Sequence, residues 1–143
     1  MIDAYIDESG IHDGAKVCVI AGFWGGRGQW RKFEKDWRSL LRTFGVPLEK
    51  FHATELLPKR GFFFDWDRAT HGSFLDGVVA TITRYKIYPV NFGIIVDDFN
   101  SFTEIQRRFL TGATLQAGNL VTSGNPKKPY FLPFQHCMKT VAS

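Results

Sequence analysis

The chain opens on a period-two pattern in which Ile2, Ala4 and Ile6 alternate with Asp3, Tyr5 and Asp7, as in a half-buried strand. An apolar run from Val17 to Phe23 predicts a second strand, and the loop between them, Glu8 to Lys16, contains Gly10 and Gly14. That spacing predicts an antiparallel hairpin. Gly25, Gly26 and Gly28 then release the chain into a helix over about 29–44, where Trp30, Phe33, Trp37, Leu40, Leu41 and Phe44 hold the helical period. Gly45 and Pro47 stop it.

Residues 54–57 predict a single helical turn closed by Pro58, followed by an aromatic cluster of Phe62, Phe63, Phe64 and Trp66. A second long helix is expected over about 68–86, with Asp67 as its N-cap and a stripe of Phe74, Leu75, Val78, Val79 and Ile82. Gly72 and Gly77 weaken that helix. Residues 87–97 read as the central strand. Val90, Phe92, Ile94 and Val96 share one face, while Asn91, Gly93, Ile95 and Asp97 share the other. So continuous an apolar run implies burial on both faces, and the preceding helix reads as a crossover, so a mixed or parallel sheet is expected. Ser101 and Glu104 have the spacing of a capping box, and Tyr130 to Val141 has helical spacing with Pro133 in its first turn.

At 143 residues the chain suits one domain, 1–143, of the α/β class. The net charge of +4 is modest, so its distribution decides what it means. Cys18 and Cys137 sit in apolar segments and read as buried thiols of a reducing compartment, and neither has a partner at metal-ligand spacing. No basic segment followed by an apolar stretch opens the chain, and no run approaches the roughly 18 apolar residues of a membrane span. A cytoplasmic protein without a membrane partner is expected. There is no phosphate-binding glycine loop, and Ser9 with His12 sits on a loop ill suited to nucleophilic catalysis.

Four places carry carboxylate or imidazole chemistry: Asp7 with Glu8, His52 with Glu55, Asp65 with Asp67, and Asp97 with Asp98. Adjacent carboxylates repel, and a divalent cation is the commonest way to offset that; a water-facing turn is the plainer reading. Asp7 and Asp97 are expected at strand ends. If their strands are parallel and adjacent, both can reach one Mg2+ or Mn2+ ion, whereas Asp at such positions also serves turns and helix starts. His52 and Glu55, three residues apart, share one face of a helical turn; alternatively Thr54 caps that turn and Glu55 complements its dipole. On the first helix Arg31, Lys35, Arg38 and Arg42 form one basic stripe that could follow a phosphate backbone, or could simply be a solvated face near Glu34 and Asp36.

Tyr5-Ile6-Asp7-Glu8-Ser9-Gly10, the strand ending Ala21-Gly22-Phe23, Gln29-Trp30 with Phe33 and Trp37, Phe51-His52-Ala53-Thr54-Glu55-Leu56, and Asp97 together resemble the mostly bacterial and phage-borne family called domain of unknown function 3800. The resemblance covers nearly the whole chain. It implies a ribonuclease H-like mixed sheet with an N-terminal hairpin and flanking helices, and a nuclease-type metal site. By that likeness Asp7, Glu8, His52 and Glu55 are catalytic, and Asp7, Glu55 and Asp97 hold Mg2+ or Mn2+. The family usually continues into a further strand and helix beyond residues matching Tyr130 to Val141. The expectation is therefore a C-terminally truncated phosphodiesterase or a catalytically inactive module binding nucleic acid or protein. An exposed sheet edge would then favour a homo-oligomer.

Overall fold

A computed structural model describes residues 1–143 as a mixed α/β chain. Strands β1 (Ile2–Ser9) and β2 (Val17–Gly26) make the expected hairpin, and β3 (Ile87–Ile95) pairs on the far side of β2. The sheet, of order β1-β2-β3, is antiparallel, not mixed or parallel. The reason lies in the connection. Between β2 and β3 the chain makes two long helices, α1 (Arg27–Thr43) and α3 (Arg68–Arg84), with the single turn α2 (Ala53–Leu56) between them. A Cβ on Gly25, near the end of β2, would stand 2.9 Å from the Lys86 carbonyl oxygen and 3.0 Å from Ile87. The chain thus returns to the sheet end it left, and β3 must run against β2.

The chain divides into two compact units, one of Met1–Asp3 with Gly25–Ile87 and the other of Ala4–Trp24 with Tyr88–Ser143. The first is built on aromatic packing. Leu41, Val46, Leu56, Phe63 and Phe74 are buried together, with Trp37, Phe51 and Trp66 packed against them. Helix α1 ends where the sequence predicts, at Gly45 with φ +66, and the Val46 N–H donates to the Leu41 carbonyl at 2.8 Å. With Gly45 N–H bonded to the Arg42 carbonyl, this is a Schellman cap whose apolar residue, Val46, joins the core. Asp67 caps α3 as expected, accepting from the Thr70 N–H at 2.8 Å. Gly77 does more than weaken that helix: a Cβ there would meet the Leu40 side chain, so its absence lets α1 and α3 approach closely.

One polar cluster ties the middle of α1 to the C-terminal end of α3. Asp36 on α1 accepts from the Tyr85 hydroxyl at 2.6 Å and from Arg84 Nη1 at 2.7 Å. Those bonds, Tyr85 first and Arg84 second, hold the Asp36 carboxyl below its ordinary value of 3.8, and the bond to Asp36 raises Tyr85 above 10.0. A depressed acid stabilises the fold above its unfolded pKa and loses that contribution as pH falls through the folded value. Melts of wild type and Asp36→Asn should therefore differ at pH 7 and converge below about pH 3.8. A gap that is constant from pH 7 to pH 2 would show that the Asp36 charge adds nothing.

In the second unit Ile20, Val90 and Cys137 form the core, joined by Ile6, Tyr130 and Phe134. Helix α6 (Phe131–Ala142) supplies Cys137, whose Sγ lies 3.7 Å from the Ile20 carbonyl oxygen, and Pro133 fits its first turn. Both cysteines are free and buried. β3 is not covered on both faces: Val90 is buried, but Phe92 and Ile95 are exposed, because β3 is an outer strand. It also stops at Ile95, and Asp97 and Asp98 occupy the first turn of α4 (Val96–Ser101), where acidic side chains complement the helix dipole. The following helix, α5 (Glu104–Thr111), is opened by Thr103 and Gln106 rather than by Ser101 and Glu104. Gln106 Oε1 accepts from the Thr103 N–H at 2.8 Å, closing a true capping box. The irregular stretch beyond it holds a small hairpin, β4 (Ala113–Gln116) with β5 (Asn119–Thr122), turned by Ala117 and Gly118, both at positive φ.

Candidate functional site

Asp7 and Glu8 lie inside β1, which runs to Ser9, and not in the turn beyond it. Neighbouring strand residues face opposite ways, so the pair is split between two faces. Glu8 lines a cavity of about 490 Å3 in the second unit, together with His12, Asp13, Lys127, Lys128 and Tyr130. The buried Cys18 thiol shares that cavity and is pushed above its ordinary pKa, first by burial and then by the Glu8 charge. Asp7 is exposed, and its Oδ1 accepts the Glu8 N–H at 2.9 Å.

His52 and Glu55 do come together, as their spacing predicts. Both line a cavity of about 410 Å3 in the first unit with Glu49, Lys50, Gly61 and Phe62. His52, not Thr54, holds the N-cap position of α2, and its carbonyl accepts from the Glu55 and Leu56 N–H groups at 2.9 and 3.1 Å. The Glu55 carboxylate rests over Gly61, where any Cβ would collide with it, and Gly61 has φ +53. The positive φ favours glycine there, whereas the Glu55 carboxylate, at the end of a flexible side chain, could swing away from a Cβ.

The expected metal ligands Asp7, Glu55 and Asp97 are not gathered into one group. No group of three or more His, Cys, Asp or Glu side chains stands close enough together to hold a metal ion. Asp7 lies in β1 and Asp97 in the first turn of α4, just past the end of β3, and β2 lies between β1 and β3. Asp65, Asp67 and Asp98 are likewise outside any such group; Asp67 caps α3, and Asp98 lies in the first turn of α4.

The basic stripe lies on the exposed side of α1, where the helical period places it. Arg31, Lys35, Arg38 and Arg42 are all exposed on α1. Only Arg38 is paired, through Nη2 to Glu34 at 2.7 Å, and the other acid of the helix, Asp36, is held by Arg84 and Tyr85. Helix α1 carries six basic and two acidic side chains, a balance of +4 that equals the net charge of the whole chain. The charge is thus concentrated on one surface. At 1.5 Å per residue the stripe runs roughly 16 Å.

His12, Asp13, Lys127 and Lys128 were not among the expected site residues. The only signal for them is a basic dipeptide in an irregular loop, and nothing local says that this loop meets the β1–β2 connection. Compared with known protein families, curated proteins and solved structures, the chain matches none. No helix is long and apolar enough to cross a membrane.

Proposed function

We propose that this chain is a nucleic-acid-binding domain that holds the phosphate backbone along α1. The observation that carries this reading is the unpaired, exposed set Arg31, Lys35 and Arg42, on the helix that bears charge equal to the chain's entire net excess. Cations on one face exchange condensed counterions for phosphates, a sequence-independent attraction that weakens steeply with salt. The ribonuclease H-like assignment belongs to this proposal and rests on the motifs quoted above. Fluorescence anisotropy of a labelled oligonucleotide, titrated with the full chain at several salt concentrations, tests the reading. Binding that is absent at 50 mM salt, or insensitive to salt, would sink it.

Phosphodiester hydrolysis is a second reading, favoured by one feature: β1 and β3 run the same way, so Asp7 and the Asp97-Asp98 pair lie toward the same end of the sheet. Cleavage that needs Mg2+ or Mn2+ and disappears in Asp7→Asn would establish it. Cleavage unchanged by that substitution would remove Asp7 from any such chemistry.

A further inference from the structure

We propose that the second unit's cavity, with Glu8 and His12 among its lining and Lys127 and Lys128 beside them, binds a nucleoside monophosphate. Its volume of about 490 Å3 lies within the 300–1,000 Å3 typical of small-molecule sites. Cations and carboxylates line one space without satisfying each other. The chain's ion pairs are Arg27–Asp3, Arg38–Glu34, Arg84–Asp36 and Arg108–Glu104, and none includes Glu8, Asp13, Lys127 or Lys128. A ligand that is anionic in one part and rich in hydrogen-bond donors in another would satisfy both sets.

Two adjacent ammonium groups supply charge-assisted donors for a phosphate, and the loop that carries them is shaped by the Lys127 N–H bond to Asn125 Oδ1 at 2.9 Å. The Tyr130 ring also lines the cavity, stacked on Phe134 with centroids 5.5 Å apart, which fixes its plane as a wall for a base. The Glu8 carboxylate can then accept from a ribose hydroxyl or an exocyclic amine. Phosphate, flat ring and donor edge are the three parts of a nucleotide, which selects that class over a bare anion or an apolar ligand.

Isothermal titration of the full chain with adenosine monophosphate tests the proposal, with adenosine and inorganic phosphate titrated beside it. The expected result is one site at which adenosine monophosphate binds at least tenfold tighter than either fragment, and at least tenfold weaker affinity in Lys127→Gln/Lys128→Gln. Both lysines are exposed, so the variant should melt as the wild type does; if it does not, the single Lys128→Gln change provides the same comparison. No binding at millimolar nucleotide, equal binding of phosphate alone, or unchanged affinity in the variant would overturn it. Substitutions on α1 leave this site intact, so loss of oligonucleotide binding and loss of nucleotide binding are separate outcomes.

Discussion

Replacing Arg31, Lys35 and Arg42 together by glutamine is expected to reduce the salt dependence of oligonucleotide binding by about three units of slope in log K against log salt. Four phosphate contacts on duplex DNA give a slope near −3.6, so wild-type affinity should fall roughly 100-fold between 50 and 200 mM salt. With only Arg38 left the fall should be roughly threefold, and affinity at 50 mM should drop sharply. These three positions are chosen because none has a carboxylate partner, so their removal leaves no acid stranded. Arg38→Gln would instead release Glu34 and confuse the result. All three are exposed on α1, and the melt should stay within a few degrees of wild type. A slope unchanged in the triple variant would move the interface elsewhere.

The second large effect is on stability. Phe74→Ala should cost about 3–5 kcal/mol, the range for truncating a buried aromatic side chain. Phe74 is fully buried and lies within 5.1–6.2 Å, centroid to centroid, of Phe44, Phe51, Phe63 and Trp66. Removing it opens a void that four rigid rings cannot refill, and edge-to-face contacts are lost with it. Against a typical total of about 5–15 kcal/mol, the variant keeps only part of its stability. Urea unfolding followed by tryptophan fluorescence checks this, because Trp66 reports on the same cluster. Phe74→Leu should cost clearly less. A loss below about 1 kcal/mol in the alanine variant would contradict the packing described.

The long helices were legible residue by residue. Their apolar period, the Asp67 cap and the Gly45 stop are local features, and the observed α1 and α3 lie within a few residues of what those features predict. The capping box was legible only in type. Ser101-x-x-Glu104 and Thr103-x-x-Gln106 are overlapping candidates, and the choice depended on where α4 ended. The direction of β3 could not be read from its apolar run. A buried strand looks alike in parallel and antiparallel sheets, and the number of helices before it decides the sense.

The candidate site divides along the same line. Helical periodicity alone determined the α1 stripe, because it lies within one element, and the short spacing of His52, the N-cap of α2, and Glu55 in its first turn kept that pair close. The apolar segments around Cys18 and Cys137 determined the burial of both cysteines. Whether Asp7 and Asp97 meet, and that Glu8 shares a cavity with Lys127, were matters for tertiary structure. Strand order places β2 between β1, which carries Asp7, and β3, which leads to Asp97, and loop closure brings together residues more than a hundred positions apart. Periodicity records which side of its own element a residue occupies, while convergence between elements depends on packing that no local pattern encodes.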